Sequence, residues 1–364
     1  MGTILDFIQS DHIVLEDYAK EIKNEKADVV LYGSGCWARQ QYLMLKELGV
    51  EIKAIGVDAK YYKPSNLFFD KEIDSIDNLS QKFPEASLWV GFNLDQRSYH
   101  SIKKDLSKRY RFKKIYACDC AKYDNFANQN YRYNDVKKNV VGFDWVYNKL
   151  ADEKSKDTLI SYLSQRISGD YKCAENIFDP DHYFSKGIVK LDHEVFVDCG
   201  AFTGDTIQEL LARDNPKKIY AFEPDEQNFA SLRNKYINDS RVICLKKGAY
   251  SKHDVLSFAA NNADASKITD FGDYKIEVDT IDNLVQCEKI SFIKMDIEGA
   301  ELDALKGAAQ TIKENHPKLA ISAYHKFEDL LTLPQFIYEL NSDYRFYLRR
   351  HSHLTHELVL YALA

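Results

Sequence analysis

Proline is scarce, with 7 residues in 364, while tyrosine (24) and phenylalanine (20) are plentiful. That balance argues for ordered helices and sheets rather than extended tails. An excess of positive charge is also missing. Lys and Arg number 49 against 56 Asp and Glu, a formal net charge of -7. This argues against nucleic acid as the main partner, because phosphate binding wants a basic face. No apolar run approaches the roughly 20 residues that a membrane-spanning helix needs. The opening stretch MGTILDFIQSDHIVLEDYAKE lacks the basic-then-apolar order of a secretory leader. Repeated C-x-x-C spacing is absent, and seven cysteines, an odd number, read as reduced thiols in a cytoplasm. The lone C-x-C at Cys118 and Cys120 is a weak metal motif. Hydrophobic residues at 45% and charged residues at 29% exclude disorder as the main state. The length favours two domains.

Strand and helix signals alternate along the chain. Val29 to Tyr32 reads as a strand, followed by a glycine turn and an amphipathic helix ending at Gly49. EIKAIGVDA, ASLWVGF and KKIYACD supply further strands, with helices near Ile76 to Phe83 and Ser98 to Arg109. Residues 1–125 therefore read as a small Rossmann-like α/β domain with a parallel sheet. Residues 126–189 read as a connector with one clear helix, marked by Leu159, Leu163 and Ile167 and closed by Gly169. A second α/β domain, 190–364, offers VFVDCG, KIYAFEP, VICLKKGAY, ISFIKMD, KLAISAYH, RFYLRR and ELVLYAL as strands. An insertion from Val255 to Val278, with NNADASK in its middle, suggests a hairpin and a loop.

VFVDCGAFTGDT is the most informative stretch. An apolar strand ends in Asp198, Gly200 and Gly204 follow, and a helix starts near Asp205 or Thr206. Two glycines permit a tight turn and close approach of a ligand. The helix N-terminus offers free N–H groups, and Asp205 is a candidate cap. The spacing is G-x-x-x-G, and an acid before the first glycine suits a cationic ligand better than a pyrophosphate. The next strand ends in Glu223, where an α/β sheet holds a ribose diol. Together these residues point to a positively charged nucleoside, for which S-adenosylmethionine is the natural candidate. The competing reading is a set of strand-end caps in a nucleotide-free fold.

VFVDCGAFTGDT, IYAFEPD, VICLKKGAYS and ISFIKMDIEGAELDALKGAAQTI together resemble the FkbM-type S-adenosylmethionine-dependent methyltransferases. The most specific part is the K-x-D-x-E-G-x-E-x-x-x-L-x-G pattern, met here by Lys294, Asp296, Glu298, Gly299, Glu301, Leu305 and Gly307. The resemblance covers about residues 190–364. It implies a class I methyltransferase sheet of seven strands, the last antiparallel, preceded by the smaller Rossmann-like domain. It also implies O-methylation of a sugar, glycan or related metabolite, as in polysaccharide biosynthesis. The implied cofactor contacts are Asp198, Gly200, Ala201, Thr203, Gly204, Glu223, Pro224, Gly248, Ala249 and Asp296. The loop departs from the family at Phe202, where Asn is commoner.

Ligands of an open parallel sheet sit beyond the carboxyl ends of its strands. That rule brings forward Asp296, Glu298 and Glu301 after one strand, His325 after the next, and His351, His353 and His356 after RFYLRR. Methyl transfer to a hydroxyl needs positioning and a proton acceptor. His325 is the expected base, titrating near neutrality, against the alternative of a structural histidine. Asp296 and Glu298 complete the expected catalytic set. Glu298 and Glu301, three apart, would share a helix face and complement its dipole. A divalent metal on Asp296, Glu298 and His325 is chemically reasonable, but no tight ligand motif demands it, and none is expected. The late histidines read as a solvated turn or as part of the cofactor edge. Tyr183 and Phe184 stand either as a cover for adenosine or substrate or as core aromatics.

In the first domain LYGSGCWA gives G-x-G-x-x-A at Gly33, Gly35 and Ala38, with Asp58 at the end of the next strand. This fits either nucleotide binding or a scaffold role. The leading expectation is thus a cytoplasmic O-methyltransferase with a small sugar or glycan substrate and a possible homo-oligomeric state. The alternative is a sugar-nucleotide-binding protein with a non-catalytic methyltransferase-like domain. An NAD-dependent oxidoreductase finds no recognisable proton donor.

Overall fold

The computed structural model describes residues 2–8, 12–92, 94, 97–119, 133–259, 267–268, 274–285 and 288–364. Cys120 and the NNADASK segment, apart from its last residue, lie outside them. The chain divides into two compact units, one of residues 1–140, 160–178 and 352–355, the other of 141–159, 179–351 and 356–364. The stretch read as a connector is thus shared out, with 141–159 in the second unit and 160–178 in the first.

The first unit holds strands β1 (Val29–Tyr32), β2 (Ile52–Val57), β3 (Leu67–Phe68), β4 (Lys71–Ser75), β5 (Ser87–Val90) and β6 (Lys114–Tyr116) in the order β3-β4-β2-β1-β5-β6. All neighbours pair in parallel except β3 with β4. Successive residues of β1 enter different cores. Val29 and Leu31 pack with helices α1 (Val14–Glu25) and α2 (Cys36–Glu47), and Val30 and Tyr32 with α3 (Ile76–Lys82) and α4 (Tyr99–Arg109). A sheet covered on both faces explains why β1 and β5 are apolar throughout rather than alternating. The short pair β3 and β4 was not read from the sequence, because LF and the charged KEIDS carry little strand signal.

Further along come α5 (Tyr133–Lys138), α6 (Val140–Lys149) and α7 (Glu153–Ser168), the last closed by Gly169 at φ +72°. The second unit contains β7 (Val195–Cys199), α8 (Asp205–Arg213), β8 (Lys218–Phe222), α9 (Glu226–Tyr236), β9 (Val242–Leu245), β10 (Gly248–Ala249), β11 (Asp254–Ala259), β12 (Lys267–Ile268) and β13 (Tyr274–Asp279). It continues with α10 (Ile281–Leu284), β14 (Phe292–Met295), α11 (Glu301–Lys306), α12 (Ala309–Asn315), β15 (Lys318–Ser322), α13 (Asp329–Leu340), β16 (Arg345–Arg350) and β17 (Leu358–Leu363).

Its main sheet has seven strands in the order β16-β17-β15-β14-β7-β8-β9. Six run in one direction, and only β17, antiparallel to both β15 and β16, is reversed. This is the seven-strand sheet expected from the sequence, with the reversed strand last in the chain. β7 is buried at every residue, and Phe196, Phe292, Ile207, Leu210, Leu232 and Tyr236 pack together over one face. The insertion forms β11 and β13 as an antiparallel pair in a small sheet ordered β10-β13-β11-β12. No helix among the described residues is long and apolar enough to cross a membrane.

Candidate active site

The loop after β7 is built on left-handed backbone. Gly200 has φ +78°, Phe202 +49° and Gly204 +80°. At Gly200 a Cβ would stand 1.9 Å from the Asp296 carbonyl oxygen, so the close approach of two strand ends requires glycine. Gly204 takes the N-cap position of α8, so Asp205, expected as the cap, is instead the first helical residue. The Tyr236 hydroxyl donates to the Gly204 carbonyl at 2.6 Å and fixes the end of the turn.

Asp198 is wholly buried at the end of β7, and its Oδ1 lies 3.0 Å from Lys294 Nζ on the adjacent strand β14. The cation it answers in this structure is therefore Lys294, which also donates to the Gly200 carbonyl at 2.8 Å. Burial works against that ammonium, but Asp198 and Asp296 outweigh it and hold Lys294 firmly charged.

Glu223 follows β8. Its Oε2 accepts the Phe202 N–H at 2.8 Å and its Oε1 the Asp225 N–H at 2.9 Å. Burial pushes this carboxyl up to about 7 against those two donors. Each oxygen keeps a second lone pair. Ala201 is buried, Thr203 half-buried, and Gly248 with Ala249 forms the short strand β10. A Cβ at Gly248 would touch Pro224 at 3.9 Å, so these two stand side by side. The phenyl ring of Phe202 is half exposed, and the residue meets Glu223 through its backbone N–H.

Beyond β14 and β15 the chain gathers Asp296, Glu298 and His325. His325 Nε2 lies 3.5 Å from Asp296 Oδ1 and 3.6 Å from Glu298 Oε2. Its Nδ1 lies 3.0 Å from Glu301 Oε1, a carboxylate with no exposed surface. Glu301 also accepts the Ile297 N–H at 2.9 Å. The Tyr183 hydroxyl donates to Asp296 Oδ2 at 2.6 Å, and the Tyr324 hydroxyl to Asp296 Oδ1 at 3.4 Å.

Three expectations change here. Burial favours neutral imidazole, yet Glu301, Asp296 and Glu298 outweigh it and push His325 up to about 10. The free protein therefore holds an imidazolium at neutral pH, which cannot accept a proton, so the expected titration near neutrality does not occur. Glu298 and Glu301 do not share a helix face. Glu298 has φ +56°, Gly299 φ +95°, and α11 begins only at Glu301. Glu301 turns inward to hold His325 rather than facing solvent at a helix start. Nothing but the E-G pair at 298–299 signals this in the sequence.

The late histidines part ways and are not a solvated turn. His351 is buried between the Asp179 carbonyl (2.7 Å) and the Tyr361 hydroxyl (2.9 Å). His353 is buried and stacks on Phe178. Phe184 belongs to the core beside Phe196 and Phe292. Tyr183 is buried as well, yet its hydroxyl reaches Asp296, and this role was not legible beforehand. In the first unit, Gly35 opens α2 with free space around its Cα, and the Tyr32 hydroxyl donates to Asp58 at 2.7 Å. Cys118 there is buried.

Residues 198–353 match the family model described as the methyltransferase FkbM domain. The crystal structure of methyltransferase FkbM from Methylobacillus flagellatus KT is similar in fold, with 23% identity and a TM-score of 0.72 over 98% of this chain and 94% of that one. Fibrillarin from Aeropyrum pernix, solved with natively bound S-adenosyl-L-methionine, aligns over 49% of this chain and 71% of its own at 11% identity and a TM-score of 0.32. An rRNA methylase from Streptococcus thermophilus aligns over 48% and 87% at 17% identity and the same TM-score. No curated protein matches the chain. The glycine turn and the acid–histidine cluster thus both lie within residues 198–353, the stretch that matches the methyltransferase FkbM domain.

Proposed function

We propose that this methyltransferase uses S-adenosylmethionine to methylate a hydroxyl of a sugar, glycan or related metabolite. One observation carries the reading. The left-handed turn at Gly200–Gly204, the Glu223 carboxylate and the Asp296–Glu298–His325 cluster all stand at the carboxyl ends of adjacent parallel strands. Glu223 fits a ribose, since each of its oxygens has one lone pair left for a diol. Gly200, Ala201 and Gly204 bring backbone close enough to hold a nucleoside. The bound sulfonium supplies the methyl group to be displaced.

The residues beside it orient the acceptor. Glu298, whose side chain is 31% exposed, is the member of the cluster most open to an incoming hydroxyl. It is placed to take the hydroxyl proton as the oxygen attacks, while Asp296 and His325 fix that oxygen. Tyr183 and Glu301 lock these two groups from behind. Positioning supplies much of the barrier reduction, and a placed base contributes typically 10²–10⁴-fold.

Calorimetry tests the cofactor assignment. S-adenosylhomocysteine is expected to bind in the micromolar range, about -8 kcal/mol. Glu223→Ala is expected to weaken it at least roughly 10- to 150-fold, the worth of one charge-assisted hydrogen bond at about 1.5–3 kcal/mol. Equal affinity for NAD would overturn the assignment. Transfer of labelled methyl from S-adenosylmethionine to a panel of sugar nucleotides and glycans tests the acceptor class, and transfer confined to non-hydroxyl acceptors would refute it.

A further inference from the structure

Three carboxylates, Asp296, Glu298 and Glu301, converge on one imidazole, and none of the three is more than 31% exposed. The lysines beside them are committed elsewhere, Lys294 to Asp198 and the Gly200 carbonyl, Lys326 to the Gly299 carbonyl. The His325 imidazolium supplies one positive charge against three carboxylates, and crowded, poorly hydrated carboxylates are stable only when paired or coordinated. From this we infer that Asp296, Glu298 and His325 form a binding site for one divalent cation of the Mg²⁺ or Mn²⁺ class. The inference deepens the proposed methyl transfer and rests on that reading for its role, though not for its existence.

Geometry supports it in two independent ways. First, one ligand atom from each of the three residues lies within 4.8 Å of the others. The 3.5 and 3.6 Å separations from His325 Nε2 are long for hydrogen bonds. They come close to the edges of a coordination shell, since bonds of about 2.1 Å at right to tetrahedral angles set ligand atoms about 3.0–3.4 Å apart. Contraction by a few tenths of an ångström would bring both His325 edges into the shell, with the two carboxylates turning inward to meet the cation.

Second, the outer contacts are those that orient metal ligands. Glu301, fully buried, holds Nδ1 at 3.0 Å and so turns Nε2 toward the two carboxylates, where the cation takes the place of the Nε2 proton, which leaves to solvent. Metal-bound histidines almost always donate their second ring N–H to a carboxylate, a backbone carbonyl or water. Tyr183 holds Asp296 Oδ2 at 2.6 Å, while Oδ1 takes only the longer 3.4 Å bond from Tyr324 and keeps a lone pair for ligation. Two oxygens and one nitrogen, with the remaining positions open, form a set for a cation that also takes water or substrate oxygen.

The cation would polarise the acceptor hydroxyl. The hydroxyl oxygen enters an open position, and its proton passes to the Glu298 oxygen not used for ligation. The oxygen then forms its bond to the methyl carbon as the carbon–sulfur bond breaks, with that electron pair remaining on sulfur. The products are a methyl ether, the neutral thioether and one proton.

The experiment uses the full-length protein, stripped with EDTA and titrated with MnCl₂, with bound Mn²⁺ read by electron paramagnetic resonance. One Mn²⁺ per chain is expected, displaced by excess Mg²⁺. Glu298→Gln and His325→Ala should each weaken it at least tenfold. Glu301→Gln, which touches no metal in this scheme, should weaken it roughly 10- to 100-fold. S-adenosylhomocysteine affinity, measured on the same samples, reports folding and should change less than threefold. No stoichiometric Mn²⁺, or binding indifferent to Glu298→Gln, would overturn the site. Methyl transfer undiminished in EDTA would do the same while leaving the methyltransferase reading intact. Stoichiometric Mn²⁺ without S-adenosylhomocysteine binding would sink that reading and spare the site.

Discussion

Lys294 and Asp198 face each other across adjacent strands with no solvent between them, Nζ to Oδ1 at 3.0 Å. Because the same ammonium donates to the Gly200 carbonyl, the pair ties the central strands to the glycine turn. Removing one partner strands a buried charge. Lys294→Met is expected to destabilise the second unit by about 3–5 kcal/mol. Adding Asp198→Asn should restore most of that loss. Denaturant unfolding checks both, and a single-variant loss under about 1 kcal/mol would contradict the account.

The Glu223 carboxyl titrates at about 7, so ligand binding should sense pH. In the proposed binding mode a ribose diol donates to the ionised form. Affinity for S-adenosylhomocysteine is therefore expected to be full above pH 7 and to decline below it, by up to about tenfold per pH unit. Glu223→Gln has nothing to titrate and should give a flat, weaker profile. Calorimetry from pH 5.5 to 8.5 decides, and an unchanged slope in the variant would assign the effect elsewhere.

Phe202 holds φ +49° with a half-exposed ring. Left-handed backbone costs a bulky residue about 1–2 kcal/mol, and Asn tolerates it better. Phe202→Asn should stabilise the protein by up to about 1 kcal/mol and keep the N–H bond to Glu223. Phe202→Ala retains the strain and should not stabilise. Chemical denaturation midpoints of the two variants, compared side by side, carry the test.

Asp152 illustrates acid sensitivity away from the site. Burial opposes its ionisation, but the Arg349 guanidinium (2.6 and 3.2 Å) and Ser155 hold it down at about 2. A depressed acid stabilises the fold above its unfolded pKa, near 4, and that contribution fades as pH falls toward 2. Partial exposure limits the gain to about 1–2 kcal/mol. The stability gap between wild type and Asp152→Asn should be constant above pH 5 and shrink between pH 4 and 2. A gap that widens on acidification would reverse the sign of this argument.

The strands were readable because covered sheets demand apolar runs, as in VVLY and FIKM. The glycine turn was readable because Gly200 and Gly204 serve positions that only small side chains fit. What surrounds His325 was not. Its protonation depends on Glu301, 24 residues earlier, and that meeting is made by neighbouring strands, not by local spacing. The same holds for Tyr183, more than a hundred residues from the Asp296 it grips. At Glu298 the left-handed backbone broke a helix that periodicity alone would have begun three residues sooner.

The order β16-β17-β15 also bears on how the sheet is assembled. β17 comes later in the chain than both strands it separates, so synthesis delivers the two sides of the gap before the strand that fills it. Until residues 358–363 arrive, β15 presents an unpaired edge beside the strand carrying Lys294, Met295 and the approach to Asp296. Such an edge invites pairing with other chains. Closure of the sheet beside the strand that leads to His325 and protection from edge-to-edge aggregation are therefore the same late event, the docking of LVLYAL.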